Sequence, residues 1–331
     1  RDKHSVVLEM SPIINDNDVL KKITSFTVQY GNSRSNTISF DSQIVTNSVL
    51  NQGEWYKFYI DTTGVFRLSK NFLSNLGVNV NSVDPRNIKL YGQGGKSLPL
   101  RNDVYYPFDL TENAIHFEGE ADGNFDNSDY ILFYGESPHS WSYNTQSGLF
   151  QHETHLFSDE VNYFLTIDNQ SEGKRIASKI ALQNATETIT SFNAFSFHES
   201  ELENLIHSGK EWFGERFDIQ NNQSFNFNFP NLEQLSPVSV KTAVVARSFV
   251  SSSFTINANS NLLNTISVNE VPSTYYQEYA KTASKTTEFN SSSSTISINL
   301  DYNSTDDGAQ AWLNYIAVNA RRSLKMAGNS L

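Results

Sequence analysis

The sequence predicts a mainly β protein in two parts: a mixed β domain with a short helix, followed by an antiparallel β-sandwich of jelly-roll or galactose-binding-like type. Three observations carry this. Apolar residues alternate with polar ones in many short runs, as in strands with one buried and one solvated face. Phe (23) and Tyr (15) are abundant, and aromatic and β-branched residues suit a pleated, half-buried surface. Between the apolar runs lie 43 Ser and 37 Asn, short polar residues that close turns by bonding their own backbone. A length of 331 residues fits about two domains, here read as 1–190 and 191–331.

Taken in order, residues 23–30 read as a strand by β-branched and aromatic content. In residues 55–60, Tyr56, Phe58 and Ile60 fall on one face, and Trp55, Lys57 and Tyr59 on the other. A turn at 61–64 leads to a strand over 65–68. A helix over 69–76 follows: Ser69 suits the N-cap, Phe72, Leu73 and Leu76 share a face, and Gly77 ends it. Asp84-Pro85-Arg86-Asn87 reads as a type I turn, since Pro at the second position presets φ. Residues 88–91, 115–117 and 130–134 are further strands. The polar stretch 168–190 carries the domain boundary near its end.

The second part opens with an expected helix over 201–208. Ser200 and Glu203 form a capping box, Leu202, Leu205 and Ile206 share a face, and Gly209 closes it. Period-two patterning then takes over at Phe225, Phe227 and Phe229, at Phe254, Ile256 and Ala258, and at Ile296, Ile298 and Leu300. Residues 312–320 form a closing strand. Such alternation is what two sheets packed face to face require.

Charge and composition exclude several functions. The chain has 24 Lys and Arg against 36 Asp and Glu, a formal net charge of −12. Nucleic acid is excluded as a partner, because phosphate contacts need clustered Lys and Arg. No run approaches the ~18 apolar residues of a transmembrane helix. Cys is absent, which removes disulfides, thiolate metal sites and a cysteine nucleophile from these residues. The opening Arg1-Asp2-Lys3-His4 is not a signal peptide, which is expected to precede these residues or to have been removed.

Each candidate motif has a plainer reading beside it. Gly92-Gln93-Gly94-Gly95-Lys96-Ser97 ends like a phosphate loop, but Leu90 stands where its first Gly belongs. Pro99 argues against the helix that must follow, so a glycine turn is expected. Asp122, Asn124, Asp126 and Asp129 place oxygens at alternate positions of a short loop, the raw material of a structural Ca²⁺ site. Phe133 occupies the place of the bidentate Glu of an EF-hand and Gly123 is out of register, so an ion-free Asx turn is the competing reading. His152 and His155 lack metalloprotease spacing and are expected at the surface. His207, Glu211 and Glu215 would share one face if their segment were a helix. No required cofactor and no catalytic residue is indicated.

The segments also carry a resemblance. Residues 53–66 (GEWYKFYIDTTGVF), 75–77 (NLG), 84–95 (DPRNIKLYGQGG), 118–138 (EGEADGNFDNSDYILFYGESP), 199–218 (ESELENLIHSGKEWFGERFD) and 312–324 (WLNYIAVNARRSL) together resemble the N-terminal, non-catalytic region of the type IX secretion system sortases of Bacteroidetes, the PorU family of gingipain-type cysteine peptidases. The resemblance implies an exported protein at the outer membrane and cell surface, with a peptidase domain downstream. It implies that the whole enzyme removes the C-terminal sorting domain of cargo proteins and attaches them to surface lipopolysaccharide. Its implied partners are that peptidase domain, the outer-membrane barrel PorV and the cargo sorting domains. The family's catalytic Cys and His belong to the peptidase domain, and these residues contain no Cys.

The sequence therefore reads first as a scaffold or interaction region. The alternatives are a carbohydrate-binding or adhesin-like β-sandwich module, and an inhibitory propiece of a cysteine peptidase.

Overall fold

The computed structural model describes residues 13–16, 19–22, 46–99, 101, 104–180, 187–207, 211–274 and 278–327. The strand expected over 23–30 lies outside them. The chain divides into two units, Arg1–Ser48 and Val49–Leu331. In the first, β1 (Ile13–Asp16) and β2 (Val19–Lys22) pair antiparallel, with Asp16 opposite Val19.

The second unit begins with β3 (Trp55–Ile60), β4 (Gly64–Ser69), helix α1 (Lys70–Asn75), β5 (Ile88–Tyr91), β6 (Glu112–Asn113), β7 (His116–Glu118) and β8 (Tyr130–Gly135). Then come β9 (Ser140–Asn144), β10 (Leu149–Glu153) and β11 (Val161–Ile167). One sheet runs β3-β11-β5-β6 and a second β4-β8-β7, while β9 and β10 form a hairpin of their own. The alternation read in residues 55–60 holds: Phe58 and Ile60 are buried and Lys57 and Tyr59 are exposed.

Phe58, Leu68, Leu73, Leu90, Phe133 and Leu165 belong to one buried cluster between these elements. Phe133 lies 5.1 Å from Tyr163 and edge-on to Phe58 at 5.8 Å. Truncating so enclosed a ring costs about 3–5 kcal/mol.

Helix α1 is too short to persist alone. It is held by Leu73, fully buried, and by Ser69, whose hydroxyl accepts from the Phe72 amide at 3.2 Å. Gly77 takes φ +102°, the left-handed conformation that ends a helix at little steric cost. The turn read at Asp84 is one turn of 3₁₀ helix, Pro85–Asn87. The Asp84 carboxylate accepts from the Arg86 amide at 3.0 Å.

The sandwich follows: β12 (Ser191–Glu199), β13 (Arg216–Phe217), β14 (Asn222–Asn228), β15 (Val238–Arg247), β16 (Ser252–Ala258), β17 (Asn261–Val268), β18 (Lys281–Phe289), β19 (Thr295–Asn303) and β20 (Gln310–Ser323). One sheet has the order β12-β20-β15-β18 with β13 also on β20, and the other β14-β19-β16-β17. The alternating residues read from the sequence are its core. Phe225, Phe227, Phe254, Ile256, Ile296 and Ile298 share one buried cluster with Val240 and Val244 of β15 and Ile316 and Val318 of β20. The intervening Asn222, Asn226, Asn228 and Thr295 are exposed. Asn222 and Asn257 donate to the Asp301 carboxylate on this polar face.

Among the described residues of the helix expected over 201–208, which run to 207, none is helical. Glu203 pairs instead in an isolated antiparallel bridge with Phe213. Its carboxylate, which a capping box would turn back on its own backbone, accepts from the indole N–H of buried Trp312 at 2.7 Å. Leu202 and Ile206 are exposed, and only Leu205 of the supposed apolar face packs, against the small cluster of Phe213, Val245 and Trp312. A tertiary bond to a buried donor outweighs a local cap. His207, Glu211 and Glu215 are none of them helical. Among the described residues no helix is long and apolar enough to cross a membrane.

Candidate functional site

The second face of the β12-β20-β15-β18 sheet points away from the sandwich core, and register sets its side chains in rows. Glu199, Tyr315, Ala243 and Ser284 form one row. Phe197, Ala317, Lys241 and Thr286 form the next, followed by Phe195, Asn319, Ser239 and Glu288. The β12 end is thus aromatic and the β18 end small and polar.

The β9–β10 hairpin covers the aromatic end. Phe150 donates its backbone N–H to the Asn319 carboxamide oxygen at 2.8 Å, and Asn319 returns a bond to the Phe150 carbonyl at 3.3 Å. His152 stacks on Phe197 with 4.0 Å between centroids and meets Tyr315 edge-on at 5.0 Å. Its Nε2 lies 2.5 Å from a carboxylate oxygen of Glu199, with the two side chains 5% and 12% exposed. The surface position expected for His152 is therefore wrong. Phe150 and His152 occupy alternate positions of a strand that docks on other aromatic residues, and burial with a carboxylate partner satisfies the ring's polar edge. His155 accepts from the Phe157 amide at 3.1 Å and shapes the following loop.

Beyond the hairpin the sheet face stays open as a cleft of about 1160 Å³. The loop of Lys96, Ser97, Leu98 and Pro99 and the segment from Thr154 to Phe157 line it. Lys241, Thr286, Tyr315, Ala317 and Asn319 form the floor. The Lys241 ammonium sits 5.5 Å from the Tyr315 ring centroid, a cation–π distance. His152 is committed to Glu199, and among the described residues no cleft hydroxyl bonds to either histidine. The arrangement is suited to binding and carries no nucleophile–base pair.

The four residues of the acidic loop stay together in one turn anchored by Phe125, which is buried against Phe117 at 4.9 Å. Asp122 accepts from the Asn124 amide at 2.9 Å, and Asp129 from the Asp126 amide at 2.7 Å and from Ser128 at 3.3 Å. Asp122, Asn124 and Asp126 are exposed, while Asp129 is buried beside Gly119. Gly119 has φ +98°, and a Cβ there would meet the Asp129 carboxylate at 2.1 Å. Among the described residues no group of three or more His, Asp or Glu side chains is placed to hold a metal ion. The Gly92–Ser97 segment contains Gly94 at φ +72°, and among the described residues no helix follows it before β6.

Sequence reasoning missed one further cluster. His198 lies 2.8 Å from Glu215, and Ser200 donates to the same carboxylate oxygen at 3.3 Å. Burial pushes the Glu215 carboxyl up, but bonds from His198, its own backbone amide and Ser200 outweigh that and hold it below the usual range. Both neighbours converge on the carboxylate, so the order is not that of a serine–histidine–acid relay. These residues join β12 to the approach of β13.

No family model and no curated protein matches this sequence. Among solved structures, dimeric latent PorU from Porphyromonas gingivalis is similar over 85% of this chain and 25% of its own, with 22% identity and a TM-score of 0.69. The likeness is one of fold, and the chain spans a quarter of that protein's length. A CBM36-1 domain of a xylanase from the hindgut metagenome of Trinervitermes trinervoides has 10% identity and a TM-score of 0.27, over 41% of this chain and 99% of its own. An insecticidal delta-endotoxin from Bacillus thuringiensis has 12% identity and a TM-score of 0.27, over 70% and 41%. Neither of these last two supports an argument about function.

Proposed function

We propose that this chain is the N-terminal scaffold and interaction region of a type IX secretion system sortase, exported and held at the outer membrane facing the cell surface. One observation carries the reading: the fold likeness to PorU runs through 85% of the chain at a TM-score of 0.69, and the same residues contain no Cys that could act as a peptidase nucleophile. The division proposed here, 1–190 and 191–331, gives two β domains. Their role is to present rigid surfaces to a downstream gingipain-type peptidase domain, to the barrel PorV and to cargo sorting domains. Exposed aromatic residues such as Tyr59, Tyr134 and Trp141 are suited to such contacts.

The test is co-purification of this chain with the separately expressed peptidase domain and with PorV. Recovery of either at stoichiometric yield is the expected result, and recovery of neither would sink the reading. Trp141, 62% exposed on β9, is the observation that keeps a carbohydrate-binding module in view. Glycan-array binding that disappears in Trp141→Ala would favour that alternative.

A further inference from the structure

We propose that the cleft over Lys241 binds a small anionic amphiphile, with a carboxylate, phosphate or sulfate group at the Lys241 ammonium and an apolar body along Leu98, Leu156 and Phe157. The inference rests on the cleft alone and does not depend on the sortase reading.

The charge pattern is the first argument. The chain carries −12 overall, yet the two lysines of the cleft, Lys96 and Lys241, have no carboxylate within ion-pair distance among the described residues. The carboxylate on the floor, Glu199, is taken by His152. Glu153 is exposed on β10, and Glu288 stands opposite Ser239, one row away from Lys241. Lys241 is half-buried with its ammonium at the face of Tyr315. A cation that is shielded from water on one side and lacks a counter-ion attracts an anion more strongly than a fully solvated one. Thr286 lies beside it in register and offers a hydroxyl to the same guest.

The apolar lining supplies the second argument. Of the lining residues, Leu98 is 70%, Phe157 82% and Leu156 51% exposed. Large apolar side chains left exposed along a cleft are surface that binding would cover. A half-buried cation and exposed apolar side chains lining one cleft together select a ligand with a charged head and an apolar body.

The experiment compares two fluorescent probes on the whole chain: 8-anilinonaphthalene-1-sulfonate, and N-phenyl-1-naphthylamine, which has the same rings and no charge. The sulfonate is expected to bind saturably and at least about fivefold more tightly than its neutral counterpart, as a charge-assisted contact allows. Lys241→Gln should weaken the sulfonate about tenfold and leave the neutral probe unchanged, whereas Phe157→Ala should weaken both. Dodecyl phosphate should displace the sulfonate at concentrations where inorganic phosphate does not. Equal binding of the two probes would overturn the proposal, as would equal displacement by inorganic phosphate. Lys96→Glu, on an exposed loop, supplies a second variant if Lys241→Gln melts early, and sulfonate binding unaffected by its charge reversal would also count as refutation.

Discussion

Asn319 and Phe150 form a two-bond clasp, with the carboxamide of one receiving the backbone N–H of the other and donating back to its carbonyl. The side chain thereby does for β10 what one residue of a neighbouring strand would do. It satisfies an edge that the two-stranded hairpin leaves open. Residues 169 positions apart in sequence are joined in this way. Asn319→Leu should remove both bonds at a cost of about 1–3 kcal/mol. Hydrogen exchange at the Phe150 amide should accelerate while exchange in β16 and β19 is unchanged. An unaltered Phe150 amide would show that the clasp is dispensable.

The His152–Glu199 pair should be sensitive to removal of one partner only. His152→Ala leaves a carboxylate 12% exposed without the ring nitrogen it bonds to, which costs about 1–3 kcal/mol. His152→Ala combined with Glu199→Gln should recover part of that loss, because the neutral amide tolerates burial better. Urea unfolding of the four proteins measures the coupling. Additive losses would refute an interaction between them.

Glu203 is expected to matter through Trp312 rather than through a helix cap. Glu203→Leu leaves a buried indole N–H without an acceptor and should destabilise by about 1–3 kcal/mol. Ser200→Ala, at the residue read as the N-cap of the expected helix, should cost less, since its hydroxyl makes a longer bond, to Glu215 at 3.3 Å. Denaturation midpoints decide. Equal losses for the two variants would contradict the structure.

Lys89 and Asp168 predict a pH dependence. Their side chains meet at 2.6 Å, with the lysine nearly buried. The hydrogen bond from Lys89, helped by the Gln170 amide, holds the Asp168 carboxyl below its usual range. A carboxyl lowered in the folded state adds stability above its unfolded value of about 3.9, and that stability fades as pH falls through the lower folded value. Burial pulls the Lys89 ammonium down, but the bond to Asp168 outweighs it and the net direction is upward. Its contribution is present below about pH 10.4 and is lost as pH rises through the raised folded value. Asp168→Asn should melt below wild type at pH 7, and the two curves should converge as pH falls through the lowered folded value of Asp168. A gap that stays constant down to acid would refute the pairing.

Arg175 fastens the polar stretch after β11 to the first core. Its Nε and one terminal nitrogen both meet the Glu120 carboxylate, and it also donates to the carbonyls of Pro85, Arg86 and Ile88. Arg175→Lys keeps the charge but cannot reproduce the fork, so a loss of about 1–3 kcal/mol is expected by calorimetry. Full stability of the lysine variant would reduce the contact to simple charge pairing.

How much was legible depended on whether a residue's role was local. Ser69, Gly77 and the Asp84–Pro85 turn act within a few positions of themselves, and each is found where its chemistry put it. The strands at 55–60, 225–229 and 296–300 were legible because one face is apolar and the other polar. β12 escaped notice, since both of its faces pack: Ala194 enters the sandwich core while Phe195 and Phe197 meet the hairpin. Residues 201–207 are not helical, because Glu203 had a better partner in Trp312, 109 positions away.

The sequence by itself determined the β class, the alternating inner faces of the sandwich, the capped helix after β4, and the absence of a cysteine nucleophile. These follow from periodicity and composition, which act over neighbouring residues. Only the tertiary structure decided that His152 is buried, that Asn319 completes the edge of β10, and that Lys241 opens into a cleft. Those facts arise where distant strands meet, and neither a lone His nor a lone Lys announces its partner in the chain before the sheets have packed.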